Sequence, residues 1–541
     1  MYFDYNDYYN GSYPEMMSWK VDSDCCSWDG VTCDAENGEV IGLDLSNSWL
    51  YGPLNSNSNL FSLRHLRKLN LDSNNFSSST IPSEFGQLVR LTHLNLSFSF
   101  LHGPIPLEIS WLSNLVSLDL SFNYFKYFVG GDYYYKLLDL RRIHLEALFQ
   151  NMTYLRALHL NKGKFPSDIF LLPKIQVINL SYNRELVGFL PKFWSFSSLK
   201  ELRLWTTNFS GEFTNSIDNL GSLNVLDLSE TNLFGELPNS ISNLKSLNYL
   251  DLSSSNISGA SPPSIGNLSQ LTYLSLSYNN LHGQLPSTSG NLAKLTHLSL
   301  DNILYYREVP SFLGNLTQLE DLSLSNNNFD CGFPIWLTNI TKHRSIVFLR
   351  NQLKGKIPSE ISRLPNLSSL DLSQSSFIEA IPSVLFTIPS LYTLVLDQNQ
   401  LILPLKFQNI SLSPLYYLGL SENKMNELML GSIVNFTKLQ YLRLSSINLE
   451  GMVELNNFFK LKELQSLDLS GNEVFVSKAN INSTLPKFSS LWLSSFNLSK
   501  FPTFLEAQNE LQNLDLSNND IEGNILLECW KRDIGIPKSF P

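Results

Sequence analysis

The chain has 541 residues, 38 of them Lys or Arg and 49 Asp or Glu, for a formal net charge of -11. Only 16% are charged, so much of the surface must be Ser, Asn and Thr. Phosphate recognition needs clustered basic side chains, so nucleic acid is excluded as an expected partner, and nothing favours adhesion to an anionic membrane.

Residues 1–39 precede any repeating pattern, and "MYFDYNDYYNGSYPEMM" has neither the basic start nor the apolar run of a signal peptide. "MMSWKVDSDCCSWDGVTCD" reads as a cap. A stack of repeats would otherwise show its core at the first turn, and Trp19 and Trp28 are expected to cover that end. Three of the five cysteines, Cys25, Cys26 and Cys33, lie here and suggest a local disulfide clasp; Cys331 and Cys529 lie far away, and the odd total leaves at least one thiol unpaired. Fifteen N-x-S/T sequons, from Asn10 to Asn497, fit a secreted glycoprotein better than a cytosolic protein.

Residues 40–526 are read as about twenty turns of one repeat. Turns anchored at Leu43, Leu69, Leu94 and Leu118 come first, and Leu158 follows a 40-residue interval. From Ile178 to Leu442 an apolar anchor then recurs every 24 residues, and Leu467, Leu491 and Leu514 finish the series. A fixed period in the twenties predicts a solenoid with one short strand per turn. Residues 124–154 form an irregular insert. Helical spacing over Leu137–Phe149 predicts an enlarged back-side loop with a short helix; the competing reading is a degenerate repeat that lost its strand. Residues 527–541 leave the pattern, and no run of 18 apolar residues exists to cross a membrane.

Within a turn such as "ELRLWT", strand alternation sends Leu202 and Leu204 into the core and Glu201, Arg203 and Trp205 to the opposite face. A ladder position follows, and it is Asn at residues 74, 123, 183, 279, 327, 351, 399, 423, 472 and 519. An amide donates and accepts, so it can satisfy backbone groups where the chain bends inward. Ser99, Thr207, Thr231, Ser255 and Ser375 are expected to substitute more weakly, and Ile303 and Ile447 not at all. Many turns close with G-x-[IL]-P, as in "GELP" at Gly235 and "GKIP" at Gly355, which predicts a short second strand and a 3₁₀-like turn.

No kinase, zinc-protease or nucleophile-elbow motif is present, and no cofactor is expected. Asp44, Asp119, Asp227, Asp251, Asp371, Asp468 and Asp515 share one repeat position, which explains them better than acid–base catalysis on an open, solvated face. The expected activity is therefore binding, not catalysis. Candidate ligand contacts are Glu201, Arg203, Trp205, Tyr249, Tyr273, Tyr278 and His297, with a second group of Tyr417, Tyr441 and Arg443. Trp, Tyr and Arg dominate interface hot spots, although exposed aromatics also stabilise cross-strand neighbours. Asn267, Asn315, Asn366 and Asn435 fall in back-side segments suited to glycans, whereas Asn95 and Asn179 lie within strands on the presented face.

The cap "SWKVDSDCCSWDGVTCD" and the phrase L-x-x-L-x-L-S-x-N-x-L-x-G-x-I-P resemble the extracellular region of plant leucine-rich-repeat receptor-like proteins, over roughly residues 13–526. The resemblance implies an α/β solenoid: a right-handed, curved superhelix with a parallel β-sheet on its concave face and a plant-type G-x-I-P back. It implies a kinase-less receptor ectodomain at the plasma membrane or outside the cell, binding a peptide or protein in defence or development. Cys26 and Cys33 match the second cysteine pair of the family's cap and imply a bridge, while no cysteine precedes Cys25 to serve as its partner. The family's signal peptide, C-terminal repeats, membrane helix and tail are not found, so an adaptor or co-receptor kinase is expected only in a full-length relative. A secreted inhibitor of a microbial wall hydrolase and a truncated receptor fragment are the alternatives.

Overall fold

The structure, a computed structural model, describes residues 2–3, 15–129, 132–139, 151–160, 169–170, 172, 174–184, 186–193, 197–213, 215–402, 413–424, 433, 435–447, 455–472 and 485–522. The chain divides into two compact units, Met1–Leu281 and His282–Pro541. Both are stacks of the same turn: a three-residue strand, a ladder residue, and a back segment that ends in a 3₁₀ turn.

In the first unit the strand leucines align without slippage. Leu43 pairs with Leu69, Leu69 with Leu94, Leu94 with Leu118 and Leu118 with Leu158, all in parallel register. The register continues through Ile178, Leu202, Leu226, Leu250 and Leu274. A one-residue slip would turn every leucine out to solvent, so the core holds the register. The anchors from Leu94 to Leu274 are at most 1% exposed. At the N-terminal end, Cys26 and Cys33 form a disulfide, with Cα atoms 5.5 Å apart. Trp19 and Trp28 stack with centroids 4.9 Å apart.

The direct pairing of Leu118 with Leu158 puts the long interval between them outside the strand sheet. Of the helix expected over residues 137–149, the first three residues are strand and the rest lie outside the described residues. Tyr124–Val129 and Asp132–Asp139 form an antiparallel hairpin, and Leu138 and Asp139 pair in parallel with Gly103 and Pro104 of the back. Tyr-rich runs on either side of Gly130 and Gly131 favour strands and a tight turn, and that preference overrides the helical spacing as far as Asp139. Residues 140–150, and the off-pattern tail 527–541, lie outside the described residues.

The second unit repeats the arrangement. Leu298, Leu322, Ile346, Leu370, Leu394 and Leu418 align in parallel register, followed by Leu442, Leu467, Leu491 and Leu514. His343 takes a place that neighbouring turns give to Leu319 and Leu367, and it is fully buried with neither ring nitrogen hydrogen-bonded among the described residues. Burial pushes its pKa down to about 4, against a weaker opposing pull from the Glu320 backbone, so it packs as a neutral ring.

The ladder amides join each turn to the one before. Asn74 Nδ2 donates to Leu45 O at 2.7 Å and Leu71 O at 3.0 Å, and Leu50 N donates to its Oδ1 at 2.9 Å. Asn279 repeats this with Leu252 O, Leu276 O and Ile257 N. Thr207, Thr231 and Ser255 each donate one hydroxyl bond to a leucine carbonyl instead. Ser375 does not: its hydroxyl is buried and has no partner among the described residues. On the back, Asn232–Glu236 and Asn256–Ala260 pair in parallel, and a 3₁₀ turn follows Pro238. Gly235 and Gly355 sit at φ +101° and +81°, where a side chain would strain the bend.

Asn327 makes the full set of contacts, donating to Leu300 O and Leu324 O and accepting from Ile303 N and Tyr305 N. Asn327→Ala strands these buried groups and is expected to destabilise the second unit by roughly 2–4 kcal/mol in equilibrium urea unfolding. A change under about 0.5 kcal/mol would contradict the ladder's structural role.

Candidate ligand-binding face

The open face of the sheet carries the side chains that alternate with the leucines. Within the first unit, Tyr249 and Tyr273 occupy paired positions on adjacent strands, and their rings stack at 4.3 Å with planes 10° apart. Both hydroxyls point to Asp251 Oδ2, at 3.5 and 3.4 Å. The Arg203 guanidinium lies 5.5 Å from the Tyr249 ring, 3.6 Å from Glu201 Oε2 and 3.9 Å from Asp227 Oδ2. Burial raises both tyrosine pKa values, that of Tyr273 to about 12, so both hydroxyls stay protonated. Glu201, Arg203, Tyr249 and Tyr273 therefore form one connected patch of cation, anion and stacked rings.

The other candidates fall elsewhere. Trp205 is half-buried on the same face, but its ring meets Tyr182, at 4.0 Å and 62°. Tyr182 in turn meets Phe122 edge-on at 5.6 Å, and Phe122 stacks on Phe98 at 4.3 Å. Tyr278 is half-exposed in the turn after its strand, at φ +56°. His297 belongs to the second unit, where its Nε2 lies 2.7 Å from Asp321 Oδ2.

In the second unit Tyr417 and Tyr441 stack with centroids 6.0 Å apart, and Tyr416 extends the group from Tyr441 to Tyr392. Arg443 Nη1 reaches across the Gly419 strand to Asp397 Oδ2 at 3.2 Å and to the Tyr417 hydroxyl at 3.5 Å. A Cβ at Gly419 would sit only 2.8 Å from Asp397 Oδ2, so the glycine leaves the carboxylate its room.

Phe98, Phe122 and Tyr182 were not among the residues read from the sequence. They precede the ladder residue and hold φ values of +47°, +53° and +62°, which bulky side chains rarely adopt. The strand has ended there, so period-two alternation no longer predicts their direction. The available signal was an aromatic in the x of S-x-N or S-x-S: "SFS", "SFN" and "SYN".

Two members of the carboxylate column differ from the solvated face expected of it, whereas Asp44 is exposed and the rest are partly exposed. Asp227 and Asp251 are 5% and 8% exposed. In the D-L-S phrase the aspartate Oδ1 accepts from the serine backbone N and hydroxyl two residues on, as in Asp119–Ser121, Asp227–Ser229 and Asp251–Ser253. The bracket fixes the orientation of the carboxylate against its own turn.

Of the sequons, Asn267, Asn315, Asn366 and Asn435 are exposed. Asn95 and Asn179 are partly buried in their strands, and each Oδ1 accepts from a serine N two residues on.

Family models match this chain as a leucine-rich repeat region over residues 241–344 and a leucine rich repeat N-terminal domain over residues 9–34. Single leucine rich repeats match at residues 65–88, 222–244 and 510–531. Receptor-like protein 6 of Arabidopsis thaliana is 39% identical over 232 residues, 39% of this chain and 23% of that protein. The receptor-like protein Cf-9 homolog of Solanum lycopersicum is 33% identical over 248 residues, 41% of this chain and 28% of that protein. The chain thus spans about a quarter of the length of the curated relatives it matches. The ectodomain of the Arabidopsis receptor kinase HAESA, solved with an N-terminally extended IDA peptide hormone, is similar with a TM-score of 0.69 at 26% identity, covering 96% of this chain and 89% of that one. The plant peptide hormone receptor RGFR1, solved in complex with RGF2, has a TM-score of 0.64 at 25% identity, covering 92% and 84%.

Asp227 gives the patch a pH dependence. Burial, opposed by the Ser229 hydroxyl and reinforced by Asp251, raises its pKa to about 6. Between pH 7 and 5 the folded chain takes up a proton there that the unfolded chain does not, so this group stabilises the fold as pH falls. Of the roughly 3 kcal/mol that the full shift represents, about 1.3 kcal/mol is gained between pH 7 and 5. In urea unfolding, Asp227→Asn is expected to lose this part of the gain between pH 7 and 5. Parallel profiles for wild type and variant would contradict the assignment.

Proposed function

Starting from a chain that belongs with the plant leucine-rich-repeat receptor-like proteins and has the fold of a receptor ectodomain, we propose that it recognises an extracellular peptide on the open face of its sheet. The patch of Arg203, Glu201, Tyr249 and Tyr273 is the observation that carries this reading. Its rings are held by stacking and by a shared carboxylate, so little side-chain freedom is lost on binding. Its charges are paired laterally but remain partly open to solvent. Within the first unit Trp205 and Tyr278 supply further contacts, and His297, Tyr417, Tyr441 and Arg443 are the candidates of the second unit. Two solved relatives hold peptide hormones, which supports a peptide over a glycan. Signalling in defence or development, at the plasma membrane or outside the cell, follows as part of the same proposal. So does reliance on a co-receptor kinase in a longer protein. Among the described residues no helix is long and apolar enough to cross a membrane.

A screen of extracellular plant peptides against the wild-type chain and a Trp205→Ala, Tyr249→Ala double variant tests this. Two hot-spot aromatics predict a loss of roughly thirtyfold or more in affinity. Equal binding by the two proteins would remove the patch from the reading.

A further inference from the structure

A recess of about 340 Å³ opens on the same face of the first unit and runs from Asp72 to Asn179, whose strand pairs directly with that of Arg203. Its lining includes Asp72, Ser97, Asp119, His159 and the two stacked rings Phe98 and Phe122. No lysine or arginine lines it among the described residues. We propose that this recess is a subsite for an arginine side chain of the peptide ligand, a specificity that rests on the peptide reading above and sharpens it.

The carboxylates are oriented before any ligand arrives. Asp72 Oδ1 accepts from the Ser97 hydroxyl at 2.7 Å, and its Oδ2 accepts from the Ser73 hydroxyl at 3.0 Å. Asp119 Oδ1 is held by Ser121, and its Oδ2 lies 4.0 Å from His159 Nδ1. A carboxylate offers about four lone-pair sites, so these contacts leave acceptors for an incoming donor. The serines fix where those acceptors stand.

The rings supply the other half. Phe98 and Phe122 stack with planes 12° apart, and Phe98 keeps 42% of its surface exposed. Tyr182 continues the row and is 56% exposed. A phenyl face attracts a cation, and a planar guanidinium can stack on it while its N–H fork turns toward a carboxylate. An acidic peptide side chain would meet two like charges. An aliphatic one would leave both carboxylates desolvated without a partner. Two carboxylates beside an aromatic wall therefore select for arginine.

The test uses the full chain and a defined probe: acetyl-Gly-Arg-Gly-amide on a biosensor surface, with its citrulline counterpart as a neutral isostere. Wild type should be retained roughly fivefold or more on the arginine surface. An Asp72→Asn, Asp119→Asn double variant keeps the acceptor oxygens that face the serines and should fall to the citrulline level. Phe122→Asn is a second probe, because Asn tolerates the positive φ at that position; it should lose much of the preference without loss of fold. Equal retention on both surfaces, or a preference that survives both variants, would overturn the subsite. Capture of arginine-free peptides that depends on Trp205 and Tyr249 would then leave the broader recognition reading standing. An arginine preference lost in the Asn variants keeps the subsite even where that dependence is missing.

Discussion

Where each strand gives way to the back of its turn, backbone carbonyls must bend into a core that offers no water. The ladder amide meets this demand. Asn279 donates to a carbonyl in its own turn and to one in the turn before, and its oxygen takes a backbone N–H from that preceding turn. The contacts are modest singly but costly to leave unmade. They also tie neighbouring turns at a fixed spacing, which keeps the leucines of successive strands opposite one another.

That division of labour frees the open face. The leucines and the ladder hold the stack, so the residues between them can vary in chemistry without touching the core. The structure uses this freedom in two ways. Arg203, Tyr249 and Tyr273 are arranged through lateral contacts with Asp227 and Asp251, and Asp72 and Asp119 are arranged by neighbouring serines. In both places the acids serve as fixed acceptors. Electrostatic pre-organisation of this kind suits selection among peptides.

Much of the fold was legible because its signals are periodic. The leucine spacing gave the strands, the Asn column gave the ladder, and G-x-I-P gave the back strand and 3₁₀ turn. Strand alternation also sufficed to put Arg203, Tyr249 and Tyr273 on one face. It failed three residues past the strand, where positive φ redirects Phe98, Phe122 and Tyr182. It likewise gave no depth: Asp227 faces the open side yet is 5% exposed, while Asp44, at the same repeat position and with the same serine bracket, is exposed. The hairpin at 124–139 was not foreseen: the helical spacing was read only from Leu137 onward, and the aromatic strands before it follow no repeat period. His297 was grouped with Tyr273 by sequence spacing alone, and its ion pair with Asp321 lies in the second unit.

The central claim is that one wall of the stack is kept bare for a ligand while the back meets solvent. Glycopeptide mapping of the chain secreted from plant cells tests that division directly. Asn267, Asn315, Asn366 and Asn435, exposed on back segments, should carry sugar, while Asn95 and Asn179, engaged within strands, should stay largely unmodified. Full occupancy at Asn179 would put a glycan on the proposed recognition wall and contradict the account.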